Sequence, residues 1–512
     1  MKKLLLLFTA ALALNAAFAQ DAIKPDLKKL DATFAKALKD WNVPGMAIGI
    51  VKDDSLVFAK GYGVRDVAKG GTVDANTLFA IASNTKPMTA AALATLIDDK
   101  KINWDDPVTK YLPYFELYDP YVTHEMTIRD LLCHRSGLTT FSGDLLWYGT
   151  KYSREEVVRR AKYLKPAYSF RTTYGYSNIM FIAAGEIVAK VSGKSWDEYM
   201  KEKFFTPLGM NRTVTTTNAL PKMENVASCH TEVDGKMITI PWLNWDNVAP
   251  AGAVISSVND MSKWLRLQIK RGKHDGKQYF SEYNARQMWS MHTNQKVSNI
   301  SEAMWPSTHF KGYGLGWGLM DYMGKRIISH SGGYDGMISY TCVVPEINMG
   351  FVILTNANST LFYPCVYYIL DAYLKGTNYD WSQTFLERDN KSKDVDKTTR
   401  EQEEKNRIKN TKPSLDLKEY CGTYKCELYG TATIKMEGEN MQLQLDPAPD
   451  FVGKLNHWHY DTFSISFEKF PSLPPGKVTF TLDAEAKVKS MLIDVPNPDF
   501  DFTELDFKKS KH

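Results

Sequence analysis

No His-Glu-x-x-His, no P-loop and no glycine-rich dinucleotide fingerprint occurs in these 512 residues, which disfavours a metal or nucleotide enzyme. The six cysteines (133, 229, 342, 365, 421 and 426) lack paired metal spacing, and most are expected to be small buried fillers. Five residues apart on one extended strand, Cys421 and Cys426 would face opposite ways and could not bridge. An excess of charge is also missing: the net value is +4, which offers nothing to attract nucleic acid. Nowhere does the chain carry 18 consecutive apolar residues, so no integral membrane segment is expected after processing. No internal repeat is found.

What is present first is length enough for a sizeable core and more than one domain. The start, MKKLLLLFTAALALNAAFAQ, has Lys2 and Lys3, an apolar run from Leu4 to Leu14 and a small-residue site at Ala17-Phe18-Ala19. This pattern predicts a signal peptide over residues 1–19, a mature chain from about Gln20, and a periplasmic or secreted protein.

Residues 25–380 alternate strand-like and helix-like runs, within an expected hydrolase domain of 20–385. GMAIGIVKDDSLVFAKGYG (45–63) reads as two strands joined at Asp53-Asp54. MTIRDLLCHRSGL (126–138) has a helical pattern stopped by Gly137, and NIMFIAAGEIVAKVSG (178–193) is a helix ended by Gly193. Residues 326–356 read as three strands with turns at Gly332-Gly333 and Pro345-Glu346. The expected class is α+β, an antiparallel sheet flanked by helices. Between Arg388 and Lys412, 15 of 25 residues are charged, which predicts a solvated helical linker over 386–413. Such a linker offers little apolar surface, so a chain cut after about residue 385 is expected to fold alone. Period-two alternation in TATIKMEGENMQLQL and KVTFTLDAEAKVKSMLID makes 414–512 a small all-β domain.

The chemistry is concentrated at Ser83-Asn84-Thr85-Lys86, before the Ala- and Leu-rich helix Met88–Ile97. A lysine in the first turn opposes the helix dipole. On a helix Ser83 and Lys86 share a face, and a desolvated amine can take the proton that a serine must lose to attack. The free N–H groups of a helix start also suit an oxyanion. A second Ser-x-x-Lys, Ser466 to Lys469, lies in the β domain, where the two side chains alternate faces. Tyr176-Ser177-Asn178 is the chain's one Tyr-x-Asn and precedes a helix; His330-Ser331-Gly332 ends a strand. A competing His274-Asp275-Gly276 sits in a charged turn and is expected to face solvent.

In that order the three motifs resemble the penicillin-recognising serine hydrolases, the class C β-lactamases with their D-aminopeptidase and esterase relatives. The resemblance covers about residues 30–380 and includes VPGMAIGIV, LLCHRSGL, PAGAVISSVNDMSKWL and GYGLGWGL. It implies Ser83 as the acylated nucleophile, Lys86 as its proton partner and Tyr176 as general acid/base. It further implies Asn178 on the substrate amide, His330-Ser331-Gly332 lining the cleft, and Ser83 and Gly333 N–H groups as the oxyanion hole. It implies no cofactor and no metal. Residues 414–508, with GTYKCELYG and LNHWHYDTF, resemble the lipocalin-like barrel appended to such hydrolases. That domain is expected to cover the active-site mouth or to mediate homo-oligomer assembly, and His457 and His459 lack a third metal ligand.

Two departures stand out. No Lys-Thr-Gly exists in the chain, and His330 stands where class C β-lactamases carry that motif's lysine. With a reference pKa of about 6.5, histidine is a cation only at mildly acid pH, so penicillin acylation is expected to rise toward pH 6. Pro87 removes an N–H that would bond the Ser83 carbonyl, which should loosen the first helical turn. The expected activity is hydrolysis of a peptide or small-molecule amide or ester through an acyl-enzyme. The alternatives are a true β-lactamase, a penicillin-binding sensor without turnover, or a noncatalytic protein acting through its β domain.

Overall fold

The computed structural model describes residues 25–377 and 379–510, so the expected signal peptide lies outside the described residues. A first helix α1 (Leu27–Asp40) leads into β1 (Gly45–Lys52), β2 (Ser55–Asp66) and β3 (Gly70–Thr72). Asp53 and Asp54, both at positive φ, make the tight turn expected between β1 and β2. After α2 (Lys86–Asp98), α3 (Asn178–Ser192) and α4 (Val258–Ile269) come β4 (Thr293–Gln295), β5 (Lys311–Tyr313) and β6 (Gly318–Tyr322). They are followed by β7 (Lys325–Tyr334), β8 (Met337–Val344) and β9 (Met349–Thr355). All nine strands pair antiparallel in the order β4-β5-β6-β7-β8-β9-β1-β2-β3. β1 and β9 are buried on both faces, because helices cover each side of the sheet. One apolar layer joins the sheet to α2, α3 and α4, and the other to α1 and α5 (Phe362–Leu374). The α+β expectation holds.

Three local expectations change. The turn between β7 and β8 falls at Asp335-Gly336, with Gly336 at φ +76°, and not at Gly332-Gly333, which lie within β7. The helix expected over 126–138 is a single turn, Ile128–Leu131, because the chain reverses at His134 (φ +58°) to bury that ring. Asp130 closes this turn with a capping box on Thr127 and holds Arg135 and Arg171, each at 2.7 Å. His274 is buried rather than solvent-facing, folded under a hairpin whose Asp275 is exposed.

The charged stretch forms one long helix, α6 (Trp381–Asn406), anchored by Trp381 and Phe385 in the core beside α5 and exposed beyond them. The last eight strands, β10 (Gly422–Cys426), β11 (Gly430–Glu437), β12 (Asn440–Leu445), β13 (Val452–His459), β14 (Thr462–Ile465), β15 (Gly476–Leu482), β16 (Val488–Asp494) and β17 (Phe507–Lys509), form a closed barrel. β10 pairs with both β11 and β17, so no edge remains open. Tyr424, Leu443, Phe463, Val478 and Phe480 are buried as alternate residues of their strands and fill the interior. All six cysteines are free thiols, five of them buried. Among the described residues no helix is long and apolar enough to cross a membrane.

The two domains share one apolar cluster, contrary to the expectation of a self-sufficient fragment 20–385. Tyr148 stacks on Phe500 of the barrel at 4.0 Å between ring centroids and touches Phe451 and Phe470. Polar contacts ring this patch: Tyr152 donates to the Tyr429 carbonyl, Arg160 to that of Leu428, and Lys151 N–H to that of Pro447. Burial of an aromatic ring contributes about 1.5–3 kcal/mol, and a domain's net stability is about 5–15 kcal/mol. Uncovering Tyr148, Trp147 and their neighbours therefore removes a large share of it. A chain ending at residue 385 is expected to be insoluble or molten, with dye binding and no near-UV circular dichroism; a soluble fragment with a sharp thermal transition would refute this.

Candidate active site

Ser83 lies not in the α-helix itself but in a 3-10 turn, Ala82–Thr85, that precedes α2. Pro87 has no N–H to offer the Ser83 carbonyl, so the Lys86 N–H takes that carbonyl three residues on, in the 3-10 pattern. The turn is pinned from outside. Asn84 donates to Ser339 (2.8 Å) and accepts from Thr341 on β8, while the Ser339 hydroxyl donates to the Ile81 carbonyl at 2.6 Å. Ala82 sits at φ +45°, a costly conformation for a residue with a Cβ, and it turns Ser83 out of the buried turn into the cleft.

β7 passes directly behind. A Cβ on Gly332 would stand 2.2 Å from the Ile81 carbonyl oxygen and 2.9 Å from the Ser83 nitrogen, so only glycine allows this approach. Gly333 and Ser331 are exposed to the cleft.

Lys86 is completely buried. Its Nζ lies 3.0 Å from Ser83 Oγ, 2.6 Å from Asn178 Oδ1 and 2.9 Å from the Ala251 carbonyl oxygen. Nζ donates to all three oxygens in this arrangement; once neutral, the amine keeps two N–H bonds for the carbonyl-type oxygens and a lone pair for the serine hydroxyl. Desolvation favours that form, holding the Lys86 pKa well below its usual value against the opposing pull of Asp144. The Tyr176 ring centroid is 4.6 Å from the same nitrogen. Burial keeps the Tyr176 phenol protonated, with a pKa well above the usual value despite its hydrogen bond with Ser83.

Asn178 is engaged at both ends, since its Nδ2 donates to Asp144 Oδ2 at 2.6 Å. These two bonds leave its second N–H and its second lone pair unused. Burial raises the Asp144 carboxyl to about 7. His134 lies face-tilted under Tyr176, with centroids 4.2 Å apart, and its Nδ1 accepts the Ser177 N–H at 3.1 Å. Ser83, Lys86, Tyr176, Asn178 and the 330–333 strand thus meet in one place. Ser466-x-x-Lys469 does not: it falls just beyond β14, in a bridge and turn rather than the expected strand, and Lys469 pairs with Asp450.

The beta-lactamase family profile matches residues 30–373, and a domain of unknown function, DUF3471, matches 406–509. The chain belongs to the beta-lactamase family. Unguisins hydrolase ungD' of Aspergillus campestris is 30% identical to it over 81% of this chain and 80% of that protein. Protein flp of Staphylococcus aureus is 26% identical over 65% of this chain and 63% of its own length. The octameric penicillin-binding protein homologue from Pyrococcus abyssi shares the fold, with a TM-score of 0.63 at 22% identity over 94% of this chain and all of its own.

Within this beta-lactamase fold the acid switch expected at His330 is overturned. Its Nδ1–H donates to the Ser331 carbonyl and its Nε2 accepts from the Tyr313 hydroxyl, both at 2.6 Å, so each nitrogen is satisfied in the neutral ring. Burial and the nearby Lys86 push its pKa down to about 3. A ring held this far down stands against the rise in acylation expected toward pH 6. Three contributors were given no role in advance: Asp144, which bears no pattern at all, and His134 and Tyr313, which lie inside LLCHRSGL and GYGLGWGL.

The His330 ring is expected to show no titration by NMR between pH 5 and 8. Because its folded pKa is lowered, the unfolded chain binds the extra proton between about pH 6.5 and 3, so stability falls as pH drops through that window. His134, also buried and lowered by desolvation, acts in the same direction. A melting temperature that rises on acidification, with a titrating His330, would contradict both statements. Gly332→Ala should displace the Ser83 turn and lower its acylation by about 10²-fold, the scale of a 1 Å misplacement; an active-site titration at wild-type rate would disprove the close approach.

Proposed function

We propose that this protein is an exported serine hydrolase that forms an acyl-enzyme on Ser83 and cleaves peptide amide or ester bonds. The observation that carries this reading is the buried Lys86 amine 3.0 Å from Ser83 Oγ. Ser83 Oγ attacks the substrate carbonyl as its proton passes to the Lys86 lone pair. The Ser83 and Gly333 N–H groups face the developing oxyanion. Tyr176, which stays protonated, gives a proton to the leaving group and is replenished from Lys86. Water then attacks the ester, its proton following the reverse path. The hydrolase relatives support the reaction class, and the charged, apolar and small-residue pattern of residues 1–19 supports export. Assembly into a homo-oligomer is part of the proposal, supported by the octameric state named for the Pyrococcus neighbour.

A true β-lactamase is the second reading, supported by the family itself. Against it stands the third motif, where an uncharged, fully hydrogen-bonded His330 offers a substrate carboxylate no ammonium.

A fluorophosphonate probe should add mass to Ser83, and Ser83→Ala should abolish turnover of p-nitrophenyl acetate. Labelling elsewhere, or full activity in the variant, would end the assignment. A panel of D- and L-amino-acid amides, esters and β-lactams separates the readings, with amides or esters expected to turn over faster. Tyr176→Phe should keep the fold and lower kcat by about 10²–10⁴; a variant within a few-fold of wild type would show that Lys86 alone suffices.

A further inference from the structure

The barrel sends one carboxylate into the catalytic domain. Glu504, at the end of a 3-10 turn Phe502–Glu504, accepts the Ser142 hydroxyl on Oε1 and the Gly143 N–H on Oε2, the latter at 2.8 Å. Both donors belong to the short loop Thr139–Asp144, and that loop holds the proton-transfer groups from three successive points. Thr140 Oγ1 accepts the Tyr176 N–H at 3.2 Å. The Phe141 N–H donates to the Tyr176 carbonyl at 2.8 Å. Asp144 Oδ2 accepts from Asn178, which in turn holds Lys86.

The loop does not rest in a relaxed shape. Phe141 has φ +65°, an unfavourable conformation for an aromatic residue. Gly143, at φ +77°, is pressed so closely that a Cβ would lie 2.6 Å from Leu164 Cδ1 and 2.7 Å from Ile179 Cδ1. Strain of this kind persists only where surrounding contacts over-determine it. On the barrel side the contact is a half-buried carboxylate, whose two oxygens are aimed at adjacent residues of the loop.

We propose that Glu504 and Asp144 are positioning residues for Lys86 and Tyr176, so that the barrel is part of the catalytic apparatus rather than an appended module. This rests on the acyl-enzyme reading of Ser83. Neither residue touches the reacting atoms. Glu504 sets the loop, the loop sets the Tyr176 backbone, and Asp144 sets the Asn178 amide that orients the Lys86 amine. The titratable groups around Lys86 are Asp144, His134, His330 and Tyr176. The two histidines are neutral and the tyrosine is protonated, which leaves Asp144 as the group that favours an ammonium. Asp144 itself faces Lys86 and Glu504.

The test uses the full chain and measures the second-order rate of Ser83 labelling by a fluorophosphonate, and p-nitrophenyl acetate turnover per titrated site, from pH 5.5 to 9.5. Glu504→Ala should slow labelling by about tenfold to a hundredfold with KM unchanged. Glu504→Gln should recover most of the loss, because its amide oxygen still accepts from the Gly143 N–H. Asp144→Asn keeps an acceptor for Asn178 but removes the charge, so the limb on which the rate rises with pH should move to lower pH. A residue that only stabilised the fold would change the titrated fraction and leave that limb in place. Labelling of every variant within twofold of wild type, or an unmoved limb in Asp144→Asn, overturns the proposal while the acyl-enzyme reading stands. A wild type that does not label at Ser83 overturns both. Should Glu504→Ala fail to fold, the Asp144→Asn limb decides.

Discussion

A lysine amine stripped of water and placed one hydrogen bond from a serine is the constraint around which this molecule is arranged. A buried ammonium is costly, so the pocket holds the amine's pKa well below its usual value and favours the neutral form that can take a proton from the serine. Asp144 opposes that condition, and the other neighbours shape the pocket around the amine. Asn178 and the Ala251 carbonyl occupy the amine's two N–H bonds, and the rings of Tyr176 and Phe181 exclude solvent from its sides. The neutral His330 and His134 add no competing charge.

That pocket has walls from far-apart pieces of chain. The serine turn is clamped between β8 and the 251–254 segment, and a glycine of β7 lets the strand pass within contact of the Ser83 nitrogen. The third motif is therefore a matter of backbone approach as much as of side chains. The barrel belongs to the same construction. Its interior is filled by its own aromatic and aliphatic residues, which leaves its outer loops, with Phe500, Phe470 and Glu504, as the surface that meets the hydrolase.

Elements with a strong local period were legible in the residues: the β1–β2 hairpin at Asp53-Asp54, the helix closed by Gly193, and the alternating strands of the barrel. The motif residues were legible too, because Ser83 and Lys86 are joined by three positions of local chain and Tyr176 and Asn178 by two. The failures have a common cause. Gly332-Gly333 looked like a turn because glycine permits one, yet here glycine serves a close approach that only a second segment, Ile81 to Ser83, explains. The run 126–138 looked helical from its apolar spacing, but the burial of His134 beneath Tyr176 stops the helix after one turn.

Local spacing thus determined which motif residues meet at the candidate site, most of the strands and helices, and that a charged helix divides an α+β part from a barrel. The protonation states and the boundaries of cooperation were decided only by tertiary structure. At its reference pKa His330 would titrate in mild acid; burial and the nearby Lys86 push its pKa down to about 3. The charged stretch read as a solvated linker after a self-sufficient domain, and the aromatic faces on either side of it close into one core. Burial and long-range contact set both outcomes, and neither is a property of neighbouring residues in the chain.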